Sequence, residues 1–292
     1  MNSKLRHFYS TKDGSPIKRL SVVIFVAGIA YALASSVWAI YIRSFLDSDA
    51  RVGLTSSFLV LVAFVSYFLI IPLIESSNKY KLTLKFSLLS VLGFIFYALT
   101  KNFYLFLIFA SVMAIFGAVR SSAFGLLIRS NSSKKSISKD EGLVFVFNNT
   151  SFLIGPFIAT LILLKLGIRN VFLISAFILL ISILMLKYSR INEGKKNKTT
   201  DKNLLENFKG FLENKERVKS YILATGITFW WSLIYIYIPL LIIKSLEDFW
   251  VGIFLGFVTI PLILGEYKFG RLLLYLGSLQ NQELGLVPIQ SF

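Results

Sequence analysis

Apolar residues are grouped along this chain in long blocks, and polar residues are confined to the stretches between them. The blocks run about 20 residues, the length that carries a helix across the hydrocarbon core of a bilayer. A soluble domain would break such runs with helix or strand periodicity. The pattern predicts membrane spans over residues 20–42, 52–74, 85–100, 104–128, 143–164, 171–186, 221–243 and 249–267. Between the sixth and seventh stands the longest interior stretch without an apolar block, 187–219, which carries Arg190, Lys195, Lys196, Lys198, Lys202, Lys209, Lys215 and Arg217. The expected fold is all-α and polytopic: a six-helix bundle followed by two helices of a second bundle. The expected organisation is an N-terminal segment at 1–19, a first transmembrane half at 20–186, a basic linker at 187–219, the start of a second half at 220–272, and an atypical tail at 273–292. Within the linker, Leu204, Leu205, Phe208, Phe211 and Leu212 recur at helical spacing, which predicts an amphipathic helix on the membrane surface.

Composition sharpens this picture. The chain is 55% hydrophobic, with a mean hydropathy of +0.71 and a net charge of +16 over 292 residues. Such a charge suggests nucleic-acid binding until its distribution is considered. Of the 31 basic residues, only Arg43, Arg51, Lys101, Lys165, Arg169 and Lys244 fall in loops on one side of the expected membrane, and Arg120 lies within a span. All the others fall on the opposite side. The bias of basic residues toward cytoplasmic loops accounts for the charge without nucleic acid, and it places the N-terminus in the cytoplasm of an integral protein of the cell membrane. The chain has no cysteine and one histidine, His7, which argues against disulfides and against thiolate or histidine metal sites. No cofactor or metal is implied. The partners expected are the bilayer and a small-molecule substrate; oligomeric state is not legible.

A weak internal repeat links the two sides of the linker. Asp49 to Leu54 (DARVGL) opens the second span and Asp248 to Ile253 (DFWVGI) opens the eighth, and each follows a span containing Ile-Tyr-Ile, at 40–42 and 234–236. Six spans, a linker and a restart form the parallel-repeat signature of a two-halved transporter. From Lys18 to about Leu272 the chain resembles the major facilitator superfamily. Three degenerate motifs carry the likeness. Glu75, with Lys79 and Lys81, stands in the second-to-third-span loop where that family places charges that latch its halves, and Gly270 with Arg271 resembles the start of the same motif in the second half. Arg120 and Gly125 stand in the fourth span near a family Arg-x-x-Gln-Gly. Gly155 and Pro156 in the fifth span resemble the Gly-Pro-x-x-Gly-Gly of drug and proton antiporters, with Ala159 and Thr160 in place of the glycines. An ordinary basic turn and a plain helix kink are the competing readings of the first and third.

Polar and aromatic residues inside the spans are the candidates for a site. Arg120 lies roughly 13 Å from the inner end of its helix, deep enough to need either a wet cavity or a partner, with snorkelling as the alternative. Asn148 and Asn149 on the inner half of the fifth span either line that cavity or bond to neighbouring helices. Trp38, Trp230 and Trp231 either stack on a ligand or anchor packing. Arg120 is expected near Asn148 and Asn149, binding an anionic part of a substrate or holding two helices together. No acidic residue lies mid-span, and no catalytic constellation or P-loop is present, so an enzyme is not expected. The function the resemblance implies is secondary transport of a small solute by alternating access. The alternatives are multidrug efflux and a transport-incompetent product truncated after about eight of twelve spans, as a frameshift or incomplete gene would give.

Overall fold

The computed structural model describes residues 16–133, 136–189, 191, 209, 210, 212–247, 249–261 and 263–265. Residues 1–15, most of the basic linker, Gly270, Arg271 and the tail lie outside the described residues. The predicted spans are helices, and their ends follow local chemistry more closely than hydropathy does. The first span is α1, Pro16–Ser36, continued after a break at Val37 by α2, Trp38–Arg43. The second is α3, Asp49–Leu69, and α4, Ile71–Ser76. It breaks at Ile70 because Pro72 has no N–H to donate, and proline is accommodated only in the first turn of the new helix. Asn78 caps α5, Lys79–Leu99, by accepting from the Lys81 N–H at 2.9 Å. Asn102 caps α6, Phe103–Asn131, by accepting from the Leu105 N–H at 3.1 Å. These caps satisfy orphan helix donors and start each helix on a polar residue.

Then come α7, Ile137–Leu166, and α8, Ile168–Tyr188. Gly167 joins them at φ 81°, a backbone conformation that glycine adopts without strain. After the linker come α9, Lys215–Ser245, and α10, Phe249–Phe257. The eighth span is not one continuous helix. It breaks at Val258 and Thr259, and helix resumes at residue 260. Pro261 explains the break, since its ring collides with the carbonyl four residues back, on Phe257. Elsewhere the helices outrun the predicted blocks. The fifth begins at Ile137 rather than at residue 143, the third at Lys79 rather than 85, and the seventh at Lys215 within the expected linker. At Lys79 the Asn78 cap lets backbone hydrogen bonding start ahead of the apolar edge.

The first helix is the hub. It packs most extensively on α7 and α8. Ala27, Ala30, Ala32 and Ala34 are buried on it, and small residues let helices approach closely. A Cβ on Gly155 would stand 2.4 Å from the Ala32 Cβ, so α1 and α7 touch backbone to backbone there. Ser182 of α8 donates to the Val23 carbonyl of α1 at 3.0 Å. The other main contacts are α5 with α6 and α8, α3 with α6, α10 with α7, and α9 with α2. The outward faces are apolar: Leu54, Ile108 and Phe177 are among the exposed large side chains. Six helices are long and apolar enough to cross a membrane among the described residues, with a shorter apolar stretch at Phe229–Ser245.

Candidate functional site

Seven elements line a cavity of about 600 Å³ in the middle of the bundle. The first helix brings Tyr31, Ala34 and Ser35 to it, and α2 brings Trp38. Ser56, Leu59 and Ala63 come from α3, Phe94 and Tyr97 from α5, Met113 and Gly117 from α6, and Asn148, Asn149 and Phe152 from α7. From beyond the linker, α9 contributes Trp231, Ser232, Tyr235 and Ile236. That set is spaced one, four and five residues apart, a single helical face. Its neighbour Trp230 points off that face. It is 47% exposed, packs edge-on to Trp231 at 5.2 Å, and does not line the cavity.

The wall is aromatic with polar points, and among the described residues no charged side chain lines it. Three of its hydroxyls, on Tyr31, Ser56 and Tyr235, are buried without a hydrogen-bond partner. Burying a hydroxyl without an acceptor or donor is costly, and such groups are rare in packed proteins unless a ligand or water meets them. All three residues line this cavity.

A second cavity, of about 710 Å³, adjoins the first, and Asn148 lines both. Here Arg120 is found, together with Tyr67, Glu75, Ser121, Ser122, Arg129 and Glu141. The Arg120 guanidinium lies over the Tyr31 ring, 4.1 Å from its centroid. Its Nε is buried and has no hydrogen-bond partner. The helix places Arg120 inward, so it does not reach out along the lipid face, and Tyr31 attracts it through the negative face of the ring. Arg129 and Glu141 pair at 3.1 Å, and Tyr67 and Ser121 share a 3.2 Å hydrogen bond.

The opposite end of the central cavity is crossed by contacts between the two halves. Asp49, opening α3, pairs with Arg43 at 3.0 Å and also with Lys244 at the end of α9. Beneath these charges Tyr41 donates to the Tyr97 carbonyl at 2.8 Å, and Phe45 stacks on Phe106 at 5.2 Å.

The family-like motif residues are placed as follows. Lys79 is buried, and its ammonium donates to the carbonyls of Glu75 and Ser77, closing the end of α4; Lys81 serves through its backbone N–H in the Asn78 cap. Glu75 is exposed. Gly155 and Pro156 sit at a three-helix contact, where a Cβ on Gly252 of α10 would stand 2.8 Å from the Pro156 carbonyl oxygen. Trp38, Asn148 and Asn149 share the central cavity, and Arg120 joins them through Asn148 and Tyr31.

The family model of the Major Facilitator Superfamily matches residues 20–281. The chain belongs to the major facilitator superfamily. It is an integral membrane protein and a membrane transporter, and the bilayer surrounds its exposed apolar faces. Proteins of this superfamily are generally not enzymes. No curated protein matches the chain. Sequence reasoning passed over Tyr31, Ser56, Tyr235 and the Asp49 pairs in this superfamily member. One signal was available: Tyr235 is the centre of the repeated Ile-Tyr-Ile, and Tyr31 lies seven residues, two helical turns, before Trp38.

Proposed function

We propose that this chain is a secondary transporter that moves a small solute by alternating access between its two helical halves. The carrying observation is the central cavity, walled by α1, α3, α5, α6 and α7 of the first half and by α9 of the second. Its volume of about 600 Å³ suits a small molecule. A site shared by both halves changes exposure when one half rocks against the other. In the conformation described, Asp49 of the first half pairs with Lys244 of the second at one end, while the second cavity leads toward Glu75 and Arg129 at the other.

Distances across the two ends test this in proteoliposomes. Spin labels replace Asp47 and Glu247 at one end, and Ser76 and Glu213 at the other, in a chain that has no cysteine to remove. Alternating access predicts two populations at each pair, with conditions that lengthen one distance shortening the other. A single fixed distance at both ends would rule it out.

A further inference from the structure

Two chambers of opposite character meet at one stacked pair. The central cavity offers aromatic surface, from Trp38, Phe94, Phe152 and Trp231 among others, and no formal charge among the described residues. The adjoining cavity offers a guanidinium deep in the bundle. The pair of Tyr31 and Arg120 forms their border, with Asn148 lining both sides.

The guanidinium is only partly compensated. A cation among membrane helices needs a counter-charge or a set of acceptors. The Tyr31 ring supplies attraction but no acceptor in the plane of the N–H groups, and Nε is buried without one. Arg120 forms no ion pair among the described residues. The two carboxylates of the same cavity do not serve it: Glu141 is taken by Arg129 at 3.1 Å, and Glu75 is exposed. A planar fork with open donors is matched by a carboxylate or another planar anion.

We infer that the transported solute is an amphipathic organic monoanion, its ring-bearing body in the aromatic chamber and its acidic head on Arg120. This rests on the central cavity being the solute site. One unpaired cation among the described residues of the two cavities suits a single negative charge. The hydroxyls of Tyr31, Ser56 and Tyr235 would receive polar substituents on the body. A cationic solute finds no carboxylate among the described residues of the aromatic wall, and a small polar anion leaves that wall unfilled.

Three isosteric probes test the inference on the purified full chain in lipid nanodiscs: 2-naphthoate, 2-naphthamide and 2-naphthylmethylammonium, with acetate as an anion lacking a body. Binding is followed by tryptophan quenching, since Trp38 and Trp231 line the chamber, and by thermal stabilisation. Naphthoate is expected to bind saturably, about tenfold or more tighter than the amide, with neither the ammonium nor acetate binding. Arg120→Gln should remove the preference for naphthoate over the amide, and Arg120→Lys should restore part of it. If Arg120→Gln fails to fold, the comparison of probes on the unaltered chain still decides. Equal binding of all three naphthyl probes, abolished by the cavity-filling Ala63→Trp, would keep the central site and discard the anion. No binding by any naphthyl probe would remove both the inference and the site on which it rests.

Discussion

Tyr31, Ser56 and Tyr235 each carry one oxygen that packing does not require. Phenylalanine or alanine in their places would keep the aromatic or small surface and shed a buried, unpartnered hydroxyl. A buried polar group left unpaired costs about 1–3 kcal/mol, so Tyr235→Phe should leave thermal stability unchanged or raise it slightly. The same substitution should weaken solute binding, because a polar ligand atom then has no hydroxyl to meet. Thermal unfolding and ligand titration on the same preparation check both halves of this prediction. A marked loss of stability in Tyr235→Phe would show that the oxygen is satisfied inside the protein. Polar residues within the spans were legible in the sequence as site candidates because an interior arginine or asparagine stands out in an apolar block. Tyr31 and Tyr235 were not, because a tyrosine in such a block is indistinguishable from a packing aromatic until its neighbours are known. Trp230 and Trp231 make the same point. Adjacent residues on a helix point about 100° apart, and only the neighbouring helices decide which of the two faces the cavity.

At the scale of the helices, glycine does the positioning. The contact between α7 and α10 joins the first half to the second, and it depends on Gly252 and Gly256 of α10. A Cβ at Gly252 would stand 2.5 Å from Thr160 Oγ1 and 2.8 Å from the Pro156 carbonyl oxygen. The hydroxyl could rotate away, but the backbone oxygen cannot. Gly252→Val should therefore cost about 1–3 kcal/mol through overpacking, read as a lower unfolding temperature and lower folded yield. Gly226 of α9 has open space where its Cβ would go, so Gly226→Ala should be neutral or stabilising by about 0.5–1 kcal/mol. Both substitutions raise helix propensity, so equal losses in the two variants would show that the half-to-half contact is not what Gly252→Val disturbs. The positions of the spans were legible from hydropathy. Their ends were not, since caps such as Asn78 and Asn102 and the Pro72 and Pro261 breaks act through single hydrogen bonds that an average over twenty residues hides.

Across the whole molecule, the two ends are chemically distinct. Phe45, Phe103 and Ile168 pack on one buried cluster, so the loops that hold Arg43, Lys101 and Arg169 share one end with the Asp49 pairs. Tyr80, Leu143 and Leu186 pack on another, which gathers Lys79, Arg129 and the start of the linker at the far end. From the excess of basic residues at this far end we propose that it faces the cytoplasm. In single-cysteine variants, membrane-impermeant reagents should label Lys101→Cys or Arg169→Cys in intact cells, and Lys81→Cys only after the membrane is opened. The reverse pattern would invert the protein. The Asp49 pairs then predict how the outer end is held. Asp49→Asn removes the carboxylate shared by Arg43 and Lys244 and leaves two cations facing each other. Because these side chains are partly exposed, solvent screens them and the effect is modest, roughly fivefold in the opening equilibrium. Ala34 lines the central cavity and is 5% exposed, so Ala34→Cys reports opening through its rate of labelling from outside. Adding Asp49→Asn should raise that rate, and high salt should raise it in the Asp49 chain more than in the Asn variant, since only the former has an attraction to screen. A labelling rate unchanged by Asp49→Asn at low salt would show that the Asp49 carboxylate does not hold this end closed.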